Sequence, residues 1–305
     1  MLKAQDLKGV LPAITTHVHA DDTIDLDATA ALFTWLKGQG VDGVIPLGGT
    51  GEYGALSRPV RNRYVELCAA HAEGQMPVIP GVLDTGYYDA LAAGKDFAAA
   101  GADGLLVINP YYTNPTQQGI RDYYLRYADE SPLPILIYEI PYRTRIAIDP
   151  QVLIELSGHE NIIGMKACNT DMYHFLRVVA GVADSFSVLS GEDTLFPLHM
   201  AAGAKGGILV TANLLPNTWQ RIYQHAVAGE VKEAVALHRR LIPMMNLAFS
   251  ETNPGPMKSV MELIGVNAPK MLAPLREPGS ELKQALLEEY RTLLAGTERQ
   301  APSAA

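Results

Sequence analysis

Short apolar runs alternate with longer amphipathic stretches along the chain. Eight runs stand out, at 9–16, 43–49, 77–82, 104–110, 134–141, 162–168, 186–191 and 206–210. Helix-like patterns fill the intervals, near 27–38, 59–72, 87–100, 118–128, 150–156, 172–183, 195–202 and 216–227. Runs that are apolar at successive positions are expected of strands buried on both faces. Eight strand-then-helix units in succession predict an α/β fold, a closed parallel (β/α)8 TIM barrel. An open doubly wound sheet is the other arrangement of such units, but no G-x-G-x-x-G follows the first run. Three more helical patterns, near 231–250, 257–265 and 280–295, predict a C-terminal helical extension. The expected division is a barrel carrying the site over 1–228, a helical region over 229–296 and a disordered polar tail over 297–305.

Composition narrows the class of partner. The 305 residues are 48% hydrophobic and 19% charged, enough for a large core. A net charge of −9 argues against nucleic acid or an anionic membrane surface. Met1–Asp6 lacks the apolar core of a secretory signal, and no run reaches membrane-spanning length. Two cysteines, Cys68 and Cys168, make neither a disulfide framework nor a metal spacing. A cytoplasmic location is expected.

Chemistry in such barrels sits at the C-terminal ends of the strands. That rule selects Thr15-Thr16-His17, Gly48-Gly49-Thr50-Gly51-Glu52, Asn109-Pro110-Tyr111-Tyr112, Tyr138 to Thr144, Lys166, Ser190-Gly191-Glu192-Asp193 and Thr211-Ala212-Asn213. Lys166 is the most informative of these, because it lies inside the apolar run Ile162-Ile163-Gly164-Met165-Lys166-Ala167-Cys168. A buried ammonium is costly, and desolvation favours the neutral amine that attacks carbonyls. A lysine that ends a strand and snorkels to water is the plainer alternative. The glycine-rich 48–52 turn lets backbone N–H groups approach an anion. No Gly-Lys-Ser/Thr follows, so a small carboxylate is a better guest than a nucleotide phosphate. Tyr138 and Arg143 flank the bend at Pro141. A tyrosine there can shuttle protons, and an arginine can grip a carboxylate through two bonds.

Two rival classes share the same barrel. His17-Val18-His19 ends the first run, and a His-x-His pair at that point begins the metal site of metal-dependent amidohydrolases. Such a site needs further ligands on later strand ends. The other histidines, His71, His159, His174, His199, His225 and His238, fall on helix-like segments or their loops. A surface or rim role for His17 and His19 is therefore favoured and no metal is expected. The second rival is a non-catalytic sugar-acid binding protein, which would need Lys166 to be inert.

Taken together, these residues resemble the dihydrodipicolinate synthase / N-acetylneuraminate lyase family of class I aldolases, on its synthase side. The likeness runs from about Gly9 to Leu294. It rests on Gly48-Gly49-Thr50-Gly51-Glu52, Tyr138-x-x-Pro141-x-Arg143-Thr144, Gly164-x-Lys166 and Asn253-Pro254-Gly255-Pro256-x-Lys258. The resemblance implies a lyase that forms a Schiff base between Lys166 and pyruvate or another 2-oxo acid, with no cofactor. It implies proton relay by Tyr138, and a carboxylate clamp from Thr50 and the amides of Gly49 and Thr50. Arg143 would bind the carboxylate of an aldehyde partner. Glu139, Gly191 and Leu209 complete the implied substrate contacts. Tyr112 would reach into a neighbouring subunit's site in a homotetramer, a dimer of dimers.

The likeness has departures. Gly49 stands where the synthases carry a hydroxyl residue of their proton relay, and Glu139 stands where they carry asparagine. Positions matching their lysine-inhibitor pocket keep Asp89 and Tyr111 but have Arg58 and Arg61 in place of histidines. Weak response to lysine is expected. Weak activity on aspartate semialdehyde is also expected. A 2-keto-3-deoxy sugar-acid aldolase or dehydratase, or a hydroxypyrroline-carboxylate deaminase, is the alternative within the family.

Overall fold

A computed structural model describes residues 2–266 and 270–298. Seven strands form one parallel sheet: β1 (Gly9–Pro12), β2 (Gly81–Val82), β3 (Leu105–Ile108), β4 (Ile135–Glu139), β5 (Ile162–Ala167), β6 (Ser187–Ser190) and β7 (Gly206–Leu209). Their order is β1-β7-β6-β5-β4-β3-β2. The second apolar run closes the ring through the parallel bridges Ala13↔Ile45 and Val44↔Val78. Ile45 N–H donates to Pro12 O at 2.9 Å, and Ile79 N–H donates to Val44 O at 3.0 Å. The expected strand is thus reduced to bridges. Pro46 and Pro77 have no ladder donor, and Leu47 turns left-handed at φ 59. The result is a TIM barrel.

Alternation along the strands sorts the core into two layers. Leu11, Ile45, Ile79, Leu106, Leu136, Tyr138, Leu189 and Ile208 pack together inside the bore. Val10, Val44, Val78, Val107, Ile137, Met165 and Val188 belong to the outer layer. That layer is covered by α1 (Leu26–Gly38), α2 (Arg58–Ala72), α3 (Tyr87–Ala99), α4 (Gln117–Glu130), the single turn α5 (Pro141–Thr144), α6 (Pro150–Leu156), α7 (Met172–Gly181), α8 (Phe196–Ala201) and α9 (Pro216–Val227). Caps fix several of their starts. Asp25 accepts from Ala28 N–H at 2.9 Å, and Thr116 accepts from Gly119 N–H at 3.1 Å.

Beyond α9 come α10 (Val231–Arg239), α11 (Ile242–Ala248), α12 (Gly255–Lys258) and α13 (Ser280–Glu298). The expected single helix over 231–250 is broken, because Pro243 can sit only in the first turn of a new helix. The expected 257–265 helix is α12 plus a 3-10 turn at Met261–Ile264. Helix α13 runs to Glu298, past the expected start of the tail. The rest of the expected tail, 299–305, lies outside the described residues. Among the described residues, no helix is long and apolar enough to cross a membrane.

Candidate active site

A cleft of about 460 Å³ opens where the strands end. Lys166, Tyr138, Arg143, Gly49, Thr50, Gly191 and Glu192 all line it. Lys166 reaches it by a register shift. Ile135 pairs with Ile162, but Leu136 pairs with Gly164, so Ile163 is one residue too many. Such a bulge re-aims the side chains that follow it. Lys166 then lies directly opposite Tyr138, with its Nζ 4.8 Å from the centre of the phenol ring. The lysine is 6% exposed. Burial raises the Tyr138 phenol well above its ordinary pKa, so it stays protonated.

Gly191 permits this geometry. A Cβ there would meet Cys168 Sγ at 2.2 Å and Lys166 Cγ at 2.9 Å. Opposite it, the 48–52 turn folds tightly. A Cβ on Gly51 would meet Leu47 N at 2.6 Å. Thr16 Oγ1 donates to Gly51 O at 2.9 Å and ties the turn to the end of the first run. Gly49 faces the Arg143 guanidinium, where an added Cβ would lie 3.7 Å from Cζ, an ordinary contact. Arg143 donates to Asn253 O at 3.4 Å, and Asn253 Nδ2 donates to Thr50 Oγ1 at 2.9 Å. The loop before α12 therefore roofs the cleft with Phe249, Glu251, Thr252 and Asn253.

The other candidates lie elsewhere. Glu139 does not line the cleft. Tyr138 faces the bore, so its neighbour faces outward. There, Glu139 Oε1 accepts from Ile148 N–H at 3.0 Å, and Oε2 lies 3.4 Å from His174 Nε2. This corrects the expectation of a carboxylate beside the substrate. Leu209 also packs into the outer layer, and its carbonyl accepts from Ala13 N–H at 2.9 Å. Its neighbour Val210 lines the cleft instead. Tyr112 is 88% exposed, left-handed at φ 72, and stands apart from the cleft lining.

His17 is buried rather than at the surface, with Nε2 2.9 Å from Thr15 Oγ1, whereas His19 is exposed. Burial, helped by the Lys258 charge, pushes His17 down to about 3. Among the described residues, no three His, Cys, Asp or Glu side chains are grouped as metal ligands would be. Burial also pushes His199 down to about 4. Below pH 6.5 the unfolded chain takes up protons that these native histidines refuse, so stability falls with pH. The window is about 6.5 to 3 for His17 and about 6.5 to 4 for His199. Each should remove about 1.4 kcal/mol per pH unit within its window. Urea midpoints at pH 6.5 and 5 should therefore differ, and His17→Asn should flatten the dependence. An unchanged slope in that variant would refute the assignment.

Two groups of residues escaped the sequence reading. Glu192 stood in a strand-end segment but was given no role. Phe249, Glu251 and Thr252 are distant in sequence and carried no signal, while Asn253 lay in a recognised motif without a role.

A sequence model of the dihydrodipicolinate synthetase family matches residues 6–294. A 4-hydroxy-tetrahydrodipicolinate synthase of Haloarcula marismortui is 36% identical over 298 residues, covering 97% of this chain and 96% of that protein. The crystal structure of dihydrodipicolinate synthase from Thermotoga maritima superposes with a TM-score of 0.91 at 28% identity, covering 94% of this chain and 98% of the other. That of DHDPS from Cyanidioschyzon merolae with lysine bound gives 0.90 at 27%, covering 94% and 98%. With that span and the shared barrel, the chain belongs to the dihydrodipicolinate synthetase family.

Proposed function

We propose that this chain is a lysine Schiff-base lyase, 4-hydroxy-tetrahydrodipicolinate synthase-like, that acts on pyruvate or another 2-oxo acid. The observation that carries the reading is the placement of buried Lys166 opposite Tyr138 at the floor of the cleft. The amine attacks the C2 ketone, water leaves, and the protonated imine becomes an electron sink. Loss of a C3 proton gives an enamine, which adds to an aldehyde; the reverse steps cleave an aldol. Thr50 and the turn amides hold the 2-oxo acid carboxylate, and Arg143 receives the partner's carboxylate. The Gly49 departure favours a second reading, a catabolic enzyme acting on a hydroxylated 2-oxo acid or a cyclic imine. Glu139 gives that reading no support, because it faces away from the cleft. Parallel assays with pyruvate plus aspartate semialdehyde and with a panel of 2-keto-3-deoxy acids separate the two. Ordinary synthase turnover would remove the second reading.

We read the protein as cytoplasmic and as a homotetramer in which exposed Tyr112 enters a neighbour's site. Sedimentation of the wild type and of Tyr112→Phe tests the assembly. A wild-type monomer with full activity would overturn it.

The region matching the family's lysine pocket is satisfied from within. Arg58 pairs with Asp89 at 3.3 Å and Arg61 with Asp84 at 3.3 Å. Arg61 also lies 3.9 Å over the Tyr53 ring, and Tyr111 donates to Leu83 O at 3.0 Å. Two guanidinium groups repel a third cation. Calorimetric titration with lysine is therefore expected to show no binding at millimolar concentration. Saturable heat accompanied by inhibition would refute this.

A further inference from the structure

Glu192 has no part in the chemistry set out so far. It follows Gly191 at the end of β6 and lines the cleft with Lys166, Tyr138 and Arg143. Its Oε1 is buried and has no hydrogen-bond partner among the described residues. Its neighbour Asp193 is already engaged, accepting from Val210 N–H at 2.9 Å and Thr211 N–H at 2.8 Å. Glu192 is therefore the carboxyl of this loop that is free for chemistry. The ionisable groups around it are Asp193 on its own loop, Lys166 and Cys168 at the end of β5, and Tyr138 and Tyr142 at the end of β4 and on α5. Arg143 and Glu251 complete the charged lining. Burial, with Asp193 adding and Lys166 opposing, raises the Glu192 carboxyl to about 7. Near neutrality it can both give and take a proton. Across the cleft, Gly49 has no hydroxyl to pass one on.

We propose that Glu192 is a catalytic proton donor and acceptor for the Lys166 imine, serving where the glycine at 49 leaves no hydroxyl. The inference rests on the Schiff-base reading. The Lys166 lone pair adds to C2 of the 2-oxo acid, and transfer of a proton from nitrogen to oxygen leaves a neutral carbinolamine. Glu192 then gives its proton to the carbinolamine hydroxyl. The C2–O bond breaks, water departs, and the nitrogen lone pair closes the C=N bond. An iminium cation and the Glu192 carboxylate remain, so charge and protons balance. Hydrolysis of the imine returns the proton to Glu192.

The test measures the rate of borohydride-trapped pyruvate adduct on the full chain between pH 5.5 and 8.5, by intact mass. The donor must be protonated, so wild-type trapping should fall as pH rises through about 7. Glu192→Gln should slow trapping by about 10²-fold at pH 6.5 and abolish that limb. Glu192→Asp should keep a limb, and it decides the question if the glutamine variant does not fold. Adding Gly49→Thr to Glu192→Gln should recover part of the rate. A folded Glu192→Gln protein that keeps the wild-type limb, whether slowed or not, overturns the proposal. A wild-type protein that forms no adduct at Lys166 removes the Schiff-base reading and this inference with it. That result is distinct from a wild-type adduct whose formation ignores residue 192.

Discussion

Replacing Lys166 with alanine is expected to lower turnover by about 10³-fold or more, equivalent to about 4 kcal/mol of barrier. In the proposed reaction this lysine is the nucleophile and provides the nitrogen of the electron sink, and Tyr138 beside it is held neutral and protonated by burial. No other lysine lines the cleft among the described residues. Borohydride reduction in the presence of pyruvate should add one reduced pyruvyl group to the peptide carrying Lys166. The Lys166→Ala protein should remain unlabelled while staying folded, as judged by its circular dichroism spectrum. Normal turnover in that variant, or an adduct on another lysine, would end the Schiff-base reading. Lys166→Arg should be equally inactive, since guanidinium keeps its proton and cannot form the imine.

The second large effect concerns stability. Lys258 Nζ lies 2.5 Å from Glu52 Oε2, and both side chains are fully buried. Glu52 Oε1 also accepts from Leu272 N–H at 2.8 Å. The pair joins the turn after the second apolar run to α12, across 206 residues of sequence. Burial pulls the Lys258 pKa down, against the pull of Glu52. Cutting one partner strands the other without water. Lys258→Met should therefore cost about 3–5 kcal/mol in denaturant unfolding. Converting Glu52 to glutamine in the same chain should return much of that loss, because no unpaired charge is left. A single variant within about 1 kcal/mol of wild type would show that the pair contributes little. The same cut should weaken the cleft, since Asn253 is held over Thr50 by the segment that Lys258 anchors.

The barrel and the identity of its central lysine were legible from the chain because both are local patterns. Continuous apolar runs mark strands covered on two faces, and a lysine within such a run needs no long-range knowledge to notice. Strand-end position also placed Gly49, Thr50, Tyr138, Arg143 and Gly191 at one rim, where the cleft lies. The same reasoning failed wherever one residue's parity mattered. Tyr138 and Glu139 are adjacent in sequence but face opposite layers, so a rule that selects a strand end selects both. Leu209 and Val210 repeat that ambiguity.

Three features were decided only in the folded molecule. The bulge at Ile163 sets Lys166 opposite Tyr138, and no periodicity of the run announces it. The roof over the cleft comes from residues 249–253, brought to Thr50 by contacts that span about two hundred positions. Glu52 and Lys258 are buried where α12 meets the turn after the second apolar run, and His17 is buried at the end of the first run, which no local pattern announces. Sequence alone determined which segments must be buried, because hydrophobic spacing is a property of each segment. Tertiary structure decided which polar side chains share a cavity, because that depends on the closure of the ring and on the register between strands.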